Sequence, residues 1–129
     1  MEQPQYLIDR TAVIASLGHQ LPPHGMAFLH DVIDEIPHIS VVTKIELLGF
    51  NAPDEHYHLL ANFMNDATIL DLNDNIVDAS ITIRKSHKTK LPDAIIAATA
   101  LVYSLTIIFR NVDDFKNISG IACINPWEL

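Results

Sequence analysis

Short apolar runs without a polar break alternate along this chain with longer segments of helical periodicity, and that alternation restricts the fold more than any other feature. Residues 5–8, 38–42, 68–72, 105–109 and 121–124 read as strands. A strand with one face in water alternates apolar and polar side chains, whereas an unbroken apolar run is buried on both faces, as in a parallel sheet covered by helices. Helices are expected between the runs, over residues 12–17, 23–36, 43–50, 54–64, 73–84 and 92–104. Met26, Leu29, Ile33 and Ile36 share one helix face, as do Leu60, Phe63 and Met64, Ile76 and Ile83, and Ile95, Ala98 and Val102. Thr43, with Glu46 three residues on, has the form of a capping box, and Pro92 suits a first helical turn. The expected fold is α/β, a three-layer α/β/α domain around a central, mainly parallel sheet of four to five strands. With 129 residues there is room for one such domain, spanning 1–129.

Composition narrows the class. Apolar residues make up 49% of the chain and charged ones 19%, the balance of a globular protein rather than a disordered one. No apolar run approaches the length of a membrane span, and Met1-Glu2-Gln3-Pro4-Gln5 lacks the basic-then-apolar form of a secretory leader. With Cys123 as the single cysteine, no internal disulfide can form, and a reducing, cytoplasmic location is expected. A net charge of −8 opposes contact with nucleic acid as a whole. Two features offset it: acids that hold a metal ion are neutralised by it, and Arg84, Lys85, Lys88 and Lys90 form a local basic strip, read either as a phosphate contact or as a solvated loop.

Acidic residues recur at related places in the βα units. Asp9 ends the first strand, Glu46 falls in the expected first turn of the helix after the second, and Asp114 lies just past the fourth. Asp93 opens the helix that precedes that strand. Residues beyond the carboxyl ends of parallel strands collect along one edge, where ligands bind. Four carboxylates at one such edge would raise each other's pKa, and a hard cation with oxygen ligands, Mg²⁺ or Mn²⁺, relieves that repulsion. Each acid also has a purely structural reading, as a helix cap, a dipole partner or a solvated turn residue.

The residues around these acids carry a resemblance. Tyr6-Leu7-Ile8-Asp9, Ser40-Val41-Val42-Thr43-Lys44-Ile45-Glu46-Leu47-Leu48, Leu91-Pro92-Asp93-Ala94-Ile95-Ile96-Ala97-Ala98-Thr99-Ala100 and Arg110-Asn111-Val112-Asp113-Asp114-Phe115 resemble, in order, the successive motifs of PIN-domain proteins, and most closely the VapC toxins of bacterial toxin–antitoxin pairs. The closing Gly120-Ile121-Ala122-Cys123-Ile124-Asn125-Pro126-Trp127 resembles the family's C-terminal end. The resemblance implies a Mg²⁺- or Mn²⁺-dependent endoribonuclease, restrained by an antitoxin and commonly a homodimer. By motif it makes Asp9, Glu46, Asp93 and Asp114 catalytic metal ligands, with Thr11, Thr43 and Asn111 as polar partners behind them. Phosphodiester hydrolysis by metal-activated water, leaving a 5′-phosphate and a 3′-hydroxyl, is the implied chemistry.

Two positions depart from the family pattern: Arg10 stands where a small hydroxyl residue is usual, leaving Thr11 to supply the hydroxyl, and Phe109 replaces a frequent threonine. Arg10 either pairs with an acid and competes with the metal, or points outward to join Arg84, Lys85, Lys88 and Lys90 as an RNA contact. The first option leads to an alternative function, a weak or inactive PIN-like interaction domain. A second alternative is a phospho-signalling receiver-like domain, which shares a small α/β fold and an acidic pocket but needs paired acids after its first strand, where this chain has Asp9-Arg10-Thr11. His56 and His58 fall on different helix faces and read as surface residues, Cys123 as an inert thiol in an apolar run, and Trp127 as a packing residue or dimer contact.

Overall fold

The computed structural model describes residues 5–51 and 53–129; the residues 1–4 read for a leader lie outside them. Five strands, β1 (Tyr6–Ile8), β2 (His38–Ser40), β3 (Thr68–Leu70), β4 (Thr106–Ile108) and β5 (Ala122–Ile124), form one sheet in the order β3-β2-β1-β4-β5, every pair parallel. Six α-helices, α1 (Arg10–Leu17), α2 (Pro23–Asp34), α3 (Val41–Leu48), α4 (Asp54–Asp66), α5 (Asp74–Ser86) and α6 (Leu91–Tyr103), cover it.

The pleat divides the core in two. Ile8, Ile39 and Ile108 pack with α1 to α4 through Val13, Leu29, Leu47 and Phe63. Leu7 and Ile107, one residue away on the same strands, pack on the other face with Ile76 and Ile83 of α5 and the alanines of α6. This is the expected three-layer α/β/α domain, and burial of both faces explains the unbroken apolar strands. The strand order also excludes the receiver reading, because that fold places its third strand on the other side of its first, in the order 2-1-3-4-5.

Several local expectations are corrected. The second strand ends at Ser40, whose Oγ accepts from the Val42 amide at 3.2 Å and so starts α3 three residues earlier than expected. Thr43 is therefore no cap but a buried residue inside the helix, and Glu46 lies beyond the first turn. Val41 and Val42 read as strand because β-branched residues after an apolar run look alike in either element; the serine cap decides it. Helix α2 stops at Asp34, which leaves Ile36 exposed and makes Val32 the buried partner of Leu29. Helix α6 has no single apolar face: Ala94, Ile96, Ala97, Ala98, Thr99 and Ala100 are all buried, while Val102 is exposed. It lies between the sheet and α5, where small side chains allow close approach on two sides. Helix α5 runs on to Ser86, so Arg84 and Lys85 occupy its last turn, not a loop, and complement its dipole there.

Candidate active site

The sheet order reverses at β1, since the chain winds outward to β2 and β3 and then returns to place β4 on the other side of β1. Such a switch point opens a crevice outside the carboxyl ends of the two strands. Asp9 directly follows β1, and Arg110 to Asp114 follow β4. Helix α6 feeds β4 after Ser104 turns the chain in the left-handed conformation (φ 56°), so α6 runs against the strands and its first turn, with Asp93, lies at the same edge.

Asp9 is buried, with 6% of its surface exposed, and its Oδ2 accepts from the Thr11 amide at 3.1 Å, which makes it the N-cap of α1. Burial pushes its carboxyl above the usual pKa; backbone N–H groups of Thr11 and Arg10 draw it down, Glu46 raises it further, and the Arg10 charge lowers it. Asp93 is half-buried and is raised first by burial and then by Asp114, with Lys90 and Arg10 opposing. The acids thus couple as two pairs, Asp9 with Glu46 and Asp93 with Asp114, and Arg10 acts on a member of each. Among the described residues no three His, Cys, Asp or Glu side chains gather into a ready-made metal cage. Arg10 takes the inward option: its Nη1 lies 3.7 Å from Glu46 Oε2, with the two side chains 51% and 28% exposed.

Beside the acids is a cavity of about 610 Å³, lined among others by Arg10, Thr11, Glu46, Phe50, Arg110 and Trp127. The Arg110 guanidinium lies 5.0 Å from the centre of the Trp127 ring, and the indole packs in turn against the core between α2 and the sheet. Buried Thr43, one helical turn before Glu46, has a hydroxyl with no hydrogen-bond partner among the described residues.

The PIN domain family model matches residues 6–121. The chain belongs to the PIN-domain family. No curated protein sequence matches it. Among solved structures, a toxin–antitoxin complex from Klebsiella pneumoniae is similar at 28% identity and a TM-score of 0.75, covering 97% of this chain and 100% of that one. FitAcB from Neisseria gonorrhoeae is similar at 25% identity and a TM-score of 0.73, with the same coverage of both chains. DNA-bound VapBC from Salmonella typhimurium, at 19% identity and a TM-score of 0.77 over 96% of this chain and 99% of that one, shares the fold.

Within this PIN domain the expected polar partners divide. Thr11 reaches Asp9 through its backbone amide rather than its hydroxyl. Asn111 is exposed, and its carbonyl accepts from the Asp114 amide at 2.9 Å, closing the short 3₁₀ turn Val112–Asp114 that carries the acid. Arg84, Lys85, Lys88 and Lys90 are all exposed, and Lys90, directly before α6, is the one felt at Asp93. The Cys123 thiol is half-buried and pushed up to about 11, as an inert thiol should be. Sequence reasoning passed over Arg110 and Phe50, which line the cavity, and Asn125, which ties Arg110 to Trp127. Arg110 and Asn125 stood inside quoted motifs, but nothing in the spacing signals that they meet.

Proposed function

We propose that this PIN domain is a metal-dependent endoribonuclease, the toxin of a toxin–antitoxin pair. The observation that carries the reading is Asp9: a carboxylate buried at the switch point, penalised by burial and by Glu46, and opposed only by backbone amides and a half-exposed guanidinium. A site that leaves negative charge so poorly compensated is poised for a cation. Its proposed donors, Asp9, Glu46, Asp93 and Asp114, are all oxygens, which fits Mg²⁺ or Mn²⁺ rather than a softer metal. When bound, the cation supplies Lewis acidity and acidified water for phosphodiester hydrolysis. The chain's own residues do the rest. Helix α1 fixes Asp9 through its cap, while helix α3 would supply Glu46 and the 3₁₀ turn Asp114, each already felt electrostatically at its partner acid, Asp9 or Asp93.

The antitoxin partner is proposed from a second cavity of about 290 Å³ beside the first, bordered by Ile14, Leu17, Phe50, Leu59 and Leu60. Ile14, Phe50 and Leu59 are exposed there, an apolar groove of the kind a partner segment covers. A homodimer is proposed through α5, where Val77 and Ile81 stand exposed one turn apart. Among the described residues no helix is long and apolar enough to cross a membrane, and the proposed setting is cytoplasmic.

The test is cleavage of a structured RNA with Mn²⁺, with EDTA, and by Asp93→Asn, whose fold is checked by circular dichroism. Cleavage that needs Mn²⁺ and is lost in Asp93→Asn is the expected result; cleavage in EDTA, or a fully active Asp93→Asn, overturns it. The Arg10–Glu46 pair specifically favours one rival, a PIN-like interaction domain without activity, and absence of cleavage in both wild type and Arg10→Thr would select it.

A further inference from the structure

The first cavity holds a device that the acids do not use. The Arg110 guanidinium lies over the Trp127 ring, 5.0 Å from its centre, and Asn125 fixes both: its Nδ2 donates to the Arg110 carbonyl at 2.9 Å and its Oδ1 accepts from the Trp127 amide at 2.9 Å. One asparagine therefore clamps the two halves of the stack from opposite ends of its amide. The turn that bears Trp127 is itself held against α2, since the Pro126 carbonyl comes so close to Gly25 that a Cβ there would stand 2.0 Å away. A surface arginine normally disperses its charge through solvent or a carboxylate partner. Among the described residues Arg110 enters no salt bridge, although sixteen acidic side chains are available in the chain.

We infer that Arg110, Trp127 and Phe50 form a subsite for one unpaired nucleotide of an RNA strand, next to the acids; this rests on the ribonuclease reading. A guanidinium held over an indole, rather than by a carboxylate, keeps N–H donors for a phosphate and can share its planar surface with a base. Exposed Phe50 borders the same cavity and offers a second apolar surface. The cavity, about 610 Å³, has the volume of a small-molecule pocket, the scale of a single unpaired nucleotide. Charge complementarity points the same way, because Arg10, the other cavity cation, is engaged by Glu46 and leaves Arg110 as the group that meets the anion.

Trp127 is the chain's single tryptophan, so its fluorescence reports this site alone. The probe is an unstructured ten-nucleotide RNA of mixed sequence, titrated in EDTA against wild type, Arg110→Ala and Arg110→Lys, with thermal unfolding to verify the fold. Wild type should show saturable quenching. Arg110→Ala should bind at least about fivefold more weakly, in keeping with loss of a stacking platform, and with a salt slope shallower by about one ion. Arg110→Lys should restore the slope but not the quenching. The subsite is overturned by equal affinity and slope in wild type and Arg110→Ala, by no quenching in wild type, or by quenching with an acidic peptide but not with RNA, which makes it a protein interface. The ribonuclease reading fails separately: Arg110-dependent RNA binding without cleavage in Mn²⁺ keeps the subsite and removes the enzyme, while undiminished cleavage and binding by Arg110→Ala do the reverse.

Discussion

Arg10→Thr is the substitution that most directly probes the acidic site, because it removes the cation that acts on both Asp9 and Asp93 and pairs with Glu46. At 3.7 Å the guanidinium and Glu46 attract by about 1 kcal/mol at the dielectric of water and by about 4 kcal/mol at an effective dielectric of 20. The pair is 51% and 28% exposed, which puts it near the watery limit, where measured pairs contribute at most about 1 kcal/mol. A divalent ion that takes Glu46 as a ligand must displace that contact and then tolerate the displaced charge nearby. Removing Arg10 should therefore tighten Mn²⁺ binding by about fivefold, since about 1.4 kcal/mol is a factor of ten. Titration calorimetry at low salt on wild type, Arg10→Thr and Arg10→Lys separates charge from shape. The lysine variant should stay near wild type, and the gain in Arg10→Thr should shrink at 1 M salt, where the screening length falls to about 3 Å. The fold should not suffer, because a cation in the first turn of α1 opposes the helix dipole. Equal Mn²⁺ affinity in wild type and Arg10→Thr at low salt refutes the reasoning, and equal tightening in both variants replaces charge with steric access as the cause.

Three further outcomes follow from the same geometry. Gly25→Ala sets a Cβ 2.0 Å from the Pro126 carbonyl, a backbone atom that cannot swing aside; overpacking of this kind costs about 1–3 kcal/mol, so thermal unfolding should fall by roughly 5–10 °C, and an unchanged midpoint would show that the turn is not seated on α2. Thr43→Val removes the unpartnered buried hydroxyl and should stabilise the metal-free protein by about 1 kcal/mol, read by urea unfolding; loss of stability means the hydroxyl has a partner in solution. For Asp9 the folded pKa lies above 3.8, so between the unfolded and folded values the folded chain binds more protons and stability falls as pH rises through that window. Asp9→Asn, which keeps the cap, should then melt above wild type at pH 7, with a gap that closes as pH drops towards 3.8; a gap independent of pH would show that burial of the charge is not its source.

The fold was legible where one physical signal dominated. Unbroken apolar strands required cover on both faces, and the split of Leu7 from Ile8 and Ile107 from Ile108 between two cores is that requirement met. Ile76 and Ile83, a heptad apart, were read correctly for the same reason. Legibility failed where two signals competed. Thr43 and Glu46 make a good capping box in isolation, but Ser40 offers a cap three residues earlier, and only the end of β2 selects between them. The positions of Asp9 and Asp114 at one edge followed from the alternation of elements, whereas that of Asp93 depended on the direction of α6, which the turn at Ser104 sets. The fate of Arg10 did not, because its two options differ by a side-chain rotation about which sequence is silent. Arg110, Asn125 and Trp127 were hidden for a further reason. Their stack joins segments after β4 and after β5, so it exists only once those strands pair.

That contact bears on how a chain of net charge −8 could engage a polyanion. At long range its field opposes RNA, and no surface strip of four cations reverses that. At short range the balance is set by which charges stand at the carboxyl edge. Three of the eight basic residues do so: Arg10 and Arg110 line the cavity, and Lys90 acts on Asp93. Arg10 is spent on Glu46, and Lys90 partly offsets Asp93, so neither is wholly available to a phosphate. Arg110 alone is held by an uncharged partner. The face of an indole fixes a guanidinium without neutralising it, whereas a carboxylate does both. On the proposed function, a strand would reach the acids only with a cation already neutralising them, and Arg110 would then be the protein's own positive charge in contact with it.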